Sequence, residues 1–167
     1  NFSQIISINA SMGDPKQENY SSMICIWWAN MVSNTWELIN LKTAKQDKAI
    51  SNKFLVWPKD ILFSKIRPKL KKIAFPKMTC LCSADIYPLT PNNTLVNNYY
   101  LISFLLSDLF TSIVSEFAEK RAQIPKVNRE ELESIILPLP PISLQNQLAQ
   151  IVEHNEQILM QQKESLK

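Results

Sequence analysis

Glycine is almost absent from this chain of 167 residues, which contains a single one, Gly13. A phosphate-cradling P-loop, a dinucleotide-binding fingerprint and a G-x-S-x-G nucleophile elbow each need several glycines, because other residues make their tight turns only at a steric cost. The composition therefore excludes all three kinds of site.

Histidine and cysteine are also scarce. The only histidine, His154, lies among Glu and Gln residues in a predicted helix, so we expect it to be an exposed helix residue. Cys25, Cys80 and Cys82 form no C-x-x-C pair and have no second histidine to complete a zinc site, which favours buried thiols. We therefore expect no catalytic constellation, no metal and no cofactor on this chain.

Long apolar runs and a signal peptide are missing as well. No apolar segment approaches the ~18 residues of a membrane span. Three cysteines without a signal peptide fit a reducing compartment. We expect a cytoplasmic protein with no membrane partner, and, because the chain begins at Asn1, a fragment or a processed piece.

Positive charge is concentrated in one block. Residues 42–77 hold eleven of the eighteen Lys and Arg residues but two of the fifteen acids, a net charge of +9. The rest of the chain has seven bases and thirteen acids, a net charge of −6. Such an asymmetry raises nucleic acid as a partner. A lysine-rich, solvated edge that blocks aggregation is the alternative interpretation of the same residues.

The stretch Val56–Phe75 is predicted to form a turn, a strand, a kink and a second strand. Pro58 and Asp60 favour the turn, alternation from Ile61 predicts a strand, and Pro68 interrupts it. Cations stand between the apolar anchors, so a rigid bend would display them to a polyanion. The candidate DNA-binding residues are Lys65, Arg67, Lys69, Lys71 and Lys72, with a second set in the loop before a later turn, Arg121, Gln123 and Lys126.

The remaining segments predict strands first and helices later. Helical spacing of apolar residues predicts one five-turn helix from Tyr99 to Phe117, capped at Asn98, and Asn128 begins a short capped helix. The apolar pair Trp27-Trp28 favours the core over stacking on bases. Further strands are predicted at Met23–Trp28, Trp36–Leu41, Met78–Leu89 and Ile135–Leu137, with a short helix or loop at Lys42–Ile50.

A final helix follows the stiff segment Pro138–Pro141 and runs to the C-terminus. Its apolar residues recur at alternating spacings of four and three, as in an imperfect heptad, and need a partner to cover them. The predicted pairing residues are Leu148, Ile151, Val152, Asn155, Ile158 and Leu159. Folding of this helix back onto the preceding domain is the alternative.

Four segments together carry a family resemblance. Lys59–Pro68 resembles the G-D-I-L-x-S-x-I-R-P segment of target recognition domains in type I restriction-modification specificity subunits, with Lys59 in place of the glycine. Cys82–Asp85 is similar to their C-S-T-D strand, and Ala122–Val127 to their pre-proline motif. Leu132–Gln145 resembles the L-x-x-I-x-I-P-L-P-P junction that enters their conserved helix.

The resemblance implies an α/β (α+β) fold: a compact mixed-sheet DNA target recognition domain with packed helices at residues 1–141, followed by a long helix at residues 142–167. It implies a non-catalytic, sequence-specific DNA-binding subunit or half-subunit. Its partners would be double-stranded DNA, type I modification (methyltransferase) subunits and, through them, the restriction subunit. S-adenosylmethionine, ATP and Mg would bind only to those subunits. The helix would pair with a second copy, with the missing half-subunit or with a helix of a methyltransferase subunit.

Two alternatives remain open at this point. One is the recognition region of an adenine-specific DNA methyltransferase, although Leu139 and Ile142 flank Pro140-Pro141 where such enzymes need an N/D-P-P-Y/F motif. The other is a protein-interaction domain that does not bind DNA.

Overall fold

Two β-sheets and five α-helices form the part of the chain that the computed structural model describes, residues 1–121 and 123–167. The strands are Ile6–Ile8 (β1), Met12–Gly13 (β2), Ile24–Ile26 (β3), Lys42–Thr43 (β4), Lys53–Val56 (β5), Ile61–Ser64 (β6), Ile73–Ala74 (β7), Cys80–Cys82 (β8) and Ile86–Pro91 (β9). The helices are Glu18–Ser21 (α1), Asn98–Leu105 (α2), Asp108–Glu119 (α3), Arg129–Ser134 (α4) and Ile142–Ser165 (α5). Short 3₁₀ helices cover Phe2–Gln4, Trp28–Asn30 and Pro68–Leu70.

The first sheet has the strand order β1-β9-β6-β7 and is antiparallel throughout. The second has the order β2-β5-β8-β3-β4, in which only β3 and β8 run parallel. The predicted α+β class with a mixed sheet, packed helices and a long C-terminal helix is confirmed.

Strand β6 lies at the centre of the layers. Ile61 and Phe63 point into a core shared with α2, α3 and α4, and Leu62 points into a second core between the two sheets. This is the alternation predicted from the sequence, and both faces are buried. Full burial of a side chain such as Leu62 stabilises the fold by about 1.5–3 kcal/mol.

Three sequence predictions of strands differ from the structure. The segment Met78–Leu89 contains two strands, β8 and β9, because Ser83–Asp85 turn the chain from the second sheet to the first. Trp36–Leu41 forms a loop with one isolated bridge, Met31–Leu38, and Ile135–Leu137 is extended without a sheet partner. The ambiguous segment at Lys42–Ile50 begins as the edge strand β4 and continues as turns.

The predicted five-turn helix is divided. Helix α2 ends at Leu105, and Ser107 caps α3 by accepting a hydrogen bond from the Phe110 N–H at 3.2 Å. The N-cap of α2 is Asn97, one residue before the predicted cap. Within the described ranges, no single helix is long and apolar enough to cross a membrane; only α2 and α3 together, bent by 57°, would meet that test.

The three thiols are buried, as predicted, and His154 is exposed. Burial raises the pKa of Cys25 to about 11 and that of Cys80 to about 12. These cysteines are therefore structural residues of the hydrophobic core.

Candidate nucleic-acid interface

The cations after β6 lie on a sharply bent segment, Lys65–Lys72. Arg67 and Lys71 both adopt left-handed backbone conformations, with φ of 48° and 47°, on either side of the 3₁₀ helix Pro68–Leu70. The Lys71 N–H donates to the Pro68 carbonyl at 3.0 Å, and the Lys71 carbonyl accepts from the Asn34 N–H at 3.0 Å. Backbone hydrogen bonds thus fix the course of the bend independently of its side chains.

The loop that carries the second set of predicted residues packs against this bend. The Arg67 N–H donates to the Pro125 carbonyl at 2.9 Å, and the Val127 N–H donates to the Lys65 carbonyl at 2.8 Å. Between them, Ile66 and Lys126 form an antiparallel bridge. The two sets, about sixty residues apart in sequence, therefore form one surface. Ala122, the first residue of the predicted pre-proline motif, lies outside the described residues.

Aromatic rings support three of the cations. Lys72 Nζ lies 3.6 Å from the centre of the Trp28 ring and donates to the Trp28 carbonyl at 3.1 Å. The Arg67 guanidinium lies 5.7 Å from the same ring, and Lys65 Nζ lies 4.8 Å from the Tyr87 ring. Trp27 and Trp28 are both half-buried, so the core role expected of this pair is only partial: Trp28 holds cations in place.

Positive charges lie close together where the two sets of candidate DNA-binding residues meet. The pKa of Lys65 is lowered, first because its side chain is partly buried and then because of the positive charge of Lys126. Burial also lowers the pKa of Lys72. A bound anion between Lys65 and Lys126 would relieve their mutual repulsion, which is how a phosphate would be favoured here.

Three of the candidate DNA-binding residues, Lys69, Lys71 and Arg121, already form ion pairs within the chain. Lys69 forms an ion pair with Glu119, and Lys71 forms one with Asp108 at the first turn of α3. The hydrogen bond and charge of Lys71 lower the pKa of Asp108. The carboxylates of both pairs are exposed to water, which weakens the attraction between the charges, so a phosphate can compete for either lysine.

Arg121 is held more firmly. Its guanidinium makes two hydrogen bonds to the Glu131 carboxylate, at 2.7 and 3.0 Å, and a third to the Lys126 carbonyl at 2.7 Å. Glu131 also closes the capping box of α4 with Asn128, and its pKa is lowered chiefly by Arg121. Arg121 therefore ties helix α4 to the loop, whereas Gln123 and Lys126 are exposed.

Sequence reasoning missed the residues that hold this surface in shape. The acids Asp108, Glu119 and Glu131 come from distant segments, and nothing in a single sequence indicates them as partners. The sequence predicts a turn at Asp60, and the structure shows in addition that Asp60 is fully buried and accepts a hydrogen bond from the Thr90 hydroxyl at 2.7 Å. The turn before it needs no positive φ at Lys59, so the absent glycine is replaced without strain.

The C-terminal helix has one face on the domain and one in solvent. Gln145 and Ala149 are buried and Val152 is half-buried, so Val152 lies on the inner face. The other predicted pairing residues are exposed: Leu148, Ile151, Asn155, Ile158 and Leu159. The helix thus folds along its own domain and still leaves an apolar face uncovered.

No cluster of His, Cys, Asp or Glu that could hold a metal ion occurs in residues 1–121 and 123–167. The donor groups near the bend are ammonium and guanidinium groups, which suit anions and repel cations.

The two-sheet α+β fold, the cationic bend and the long helix are the features to compare with known protein families, and that comparison identifies the class. The family model for the type I restriction modification DNA specificity domain matches residues 5–167, and this chain belongs to that family. The predicted identity as a target recognition domain is confirmed, and the family is that of specificity components rather than of methyltransferases.

Individual relatives agree with this assignment. The chain is 30% identical over 152 residues to the type I restriction enzyme EcoDI specificity subunit of Escherichia coli, covering 91% of this chain and 33% of that protein. The HsdS subunit from Thermoanaerobacter tengcongensis has the same fold, with a TM-score of 0.75 and 20% identity, over 96% of this chain and 42% of that one. A chain from a structure concerned with complex assembly and conformational transition of the type I R-M system gives a TM-score of 0.74 at 20% identity, over 98% and 42%. The chain spans a third of the length of its E. coli relative.

Proposed function

We propose that this chain is a DNA-reading half of a type I specificity subunit, with residues 1–141 as the target recognition domain and residues 142–167 as the pairing helix. It directs methylation and cleavage that partner subunits carry out. The chain itself holds no S-adenosylmethionine, ATP or Mg. A cytoplasmic location is part of the same proposal.

The observation that supports this proposal most strongly is the surface made by the cations Lys65, Arg67 and Lys126, together with Gln123. Within the described residues these three cations form no ion pair, and the backbone bonds between residues 65–67 and 125–127 bring them together. Positive groups of this kind position a protein on phosphates, and neighbouring loop side chains read base edges. Lys69, Lys71, Lys72 and Arg121 are the secondary candidates, because each is already engaged within the chain.

The partners follow from what the chain leaves uncovered. The exposed row on α5 has heptad spacing, which a second α-helix fits best. The solved relatives are more than twice as long as this chain, so a second unit of the same kind is the occupant we propose, either another copy or the missing half-subunit. Modification (methyltransferase) subunits and, through them, the restriction subunit complete the proposed assembly.

A binding experiment on the purified chain tests the DNA-reading role. Duplexes of random sequence are selected on the chain, and affinity for the enriched duplex is then measured at several salt concentrations. The double variant Lys65→Met, Lys126→Met should lower the slope of log K against log salt by about 2, since each lost phosphate contact contributes about 0.9. The matched control is Lys16→Met with Lys167→Met, two exposed lysines outside this surface.

An equal slope of log K against log salt in the two double variants would show that DNA binds to another surface of the chain. Absence of both an enriched sequence and salt dependence would support the protein-interaction alternative instead. Binding of S-adenosylmethionine or methyl transfer by the chain alone would support the methyltransferase alternative. We expect neither.

A further inference from the structure

Helix α5 carries two rows of residues on neighbouring faces, and the first four members of the two rows differ by one position in sequence. The inner row packs on or bonds to the domain, and the outer row faces solvent. Both rows contain apolar side chains, so hydrophobicity alone does not decide which row faces the domain. The inner row is Gln145, Ala149, Val152, Glu156 and Lys163, and the outer row is Leu144, Leu148, Ile151, Asn155 and Ile158.

The first polar contact of the inner row is at the start of the helix. The Gln145 side chain is 1% exposed, and its Nε2 donates to the Leu95 carbonyl at 3.0 Å and to the Pro140 carbonyl at 2.8 Å. Its Oε1 accepts the Asn97 N–H at 2.9 Å. All three bonds depend on the rotation of the helix about its axis, which we call its roll.

The second polar contact is three turns further along. The Glu156 carboxylate accepts from Trp36 Nε1 at 2.8 Å, from the Tyr99 hydroxyl at 3.2 Å and from Lys77 Nζ at 3.4 Å. Partial burial would lower the pKa of Lys77, but its hydrogen bond to Tyr99 and the charge of Glu156 raise it. Two turns later, Lys163 Nζ bonds both oxygens of Glu37 at 2.8 Å.

The residues that receive the helix are connected to the cationic bend. Trp36 and Glu37 belong to the loop 28–41, which is cross-linked internally by the Asn30 side chain bonding the Ile39 carbonyl at 3.0 Å. The same loop bonds the bend through the Asn34 N–H and the Lys71 carbonyl at 3.0 Å and through the Thr35–Lys72 bridge. One loop therefore contacts both the bend and the helix.

We propose that Gln145, Glu156 and Lys163 are positioning residues that fix the roll of α5. They present the outer row to the partner helix at a constant angle to the cationic bend. The inference rests on the proposed function, because it takes the outer row as the pairing surface. Its basis is that apolar packing is non-directional, whereas these hydrogen bonds are lost when the helix turns by one residue, about 100°.

The roll can be measured on the full-length chain with a nitroxide label at one introduced cysteine. The three native cysteines are buried and do not compete for the label. Ile151→Cys reports the outer row and Val152→Cys the inner row. In the parent chain the label at position 151 is expected to be more accessible to a dissolved relaxation agent than the label at position 152.

The contacts of two of the three positioning residues are removed by Glu156→Met with Lys163→Met, which keeps unbranched side chains and leaves the bonds of Gln145 at the start of the helix. The matched control is Glu153→Met with Lys167→Met, which changes the same charges at exposed positions. The accessibility difference between positions 151 and 152 should be reduced in the first pair and kept at its parent value in the control. A difference that persists in both overturns the proposal.

If the double variant does not fold, as judged by circular dichroism, Trp36→Phe provides the test. It removes the indole N–H and keeps an aromatic ring, and the proposal requires a reduced accessibility difference in this variant as well. The label reports roll without DNA or a partner, so a chain that binds no DNA would refute the proposed function and leave this result standing. Conversely, an unchanged difference beside normal DNA binding would refute only the positioning role.

Discussion

Asp60 is the residue of the Lys59–Pro68 motif whose role can be tested most sharply. Its carboxylate is 0% exposed and joins three segments at the start of β6. One oxygen accepts the Trp57 N–H at 2.8 Å and the Asn9 amide at 3.4 Å, and the other accepts the Thr90 hydroxyl at 2.7 Å. Removal of this acceptor should therefore destabilise the turn before β6, strand β6 and strand β9 together.

Two substitutions separate the charge from the hydrogen bonds. Asp60→Asn keeps the shape and one acceptor for Trp57, and its amide can donate to Thr90 if the hydroxyl turns. It exchanges two charge-assisted bonds of about 1.5–3 kcal/mol each for neutral ones of about 0.5–1.5 kcal/mol each, a loss of about 2–3 kcal/mol. Asp60→Ala leaves the Trp57 N–H and the Thr90 hydroxyl without their acceptor, at about 1–3 kcal/mol each, a loss of about 2–6 kcal/mol.

Thermal and urea unfolding measure both losses. For a chain of this size, 1 kcal/mol lowers Tm by about 2–4 °C, so we expect a fall of about 4–12 °C for Asn and about 4–24 °C for Ala. The control is Asp47→Asn, because Asp47 is half-buried and accepts one side-chain hydrogen bond, from Trp27 Nε1 at 2.8 Å. Unfolding free energies of both Asp60 variants within about 0.5 kcal/mol of the parent would refute the argument, since that is the usual range for surface changes.

Two further predictions concern charge and the thiols. Neutralising the acids beside the bend, Asp108→Asn with Glu119→Gln, should strengthen binding to duplex DNA at low salt, because two lysines are released and two repelling charges are lost; an effect no larger than that of the exposed Glu164→Gln would contradict it. The native thiols should resist a disulfide reagent at pH 8, and stability should fall as pH rises from about 9 towards 11–12. The raised pKa values of Cys25 and Cys80 mean that the unfolded chain loses these protons first; rapid reaction of all thiols in the folded chain would show that they are not buried.

The central strand was predictable because local pattern and tertiary structure agree there. Alternation along Ile61–Ser64 assigns each side chain to a face, and each face has a core of its own. The capping box of α4 was predictable for a similar reason: Asn128 and Glu131 satisfy each other within one turn. Both signals are local, so a single sequence contains them.

The division of the long helical pattern was not recognised, because both helices bury apolar residues in the same core and the periodicity continues across the break. The signal that marks it is Ser107-Asp108, a capping residue followed by an acid at the first helical position. In the same way, the sequence indicated which residues carry positive charge but not that Lys71 and Asp108, 37 positions apart, form a pair. Pairings of that range depend on the fold.

The backbone of the bend supports the view that its shape serves a function. Six residues other than glycine adopt positive φ in the described chain, and two of them, Arg67 and Lys71, are cations of the bend. Left-handed backbone costs a residue with a Cβ atom about 1 kcal/mol or more, and glycine would avoid that cost. Glycine would also remove the side chain. Strain of this kind persists where the surrounding structure enforces it, and it concentrates at functional sites. A bend that is kept in this conformation by its backbone bonds and still carries its cations is what the proposed DNA-binding role predicts.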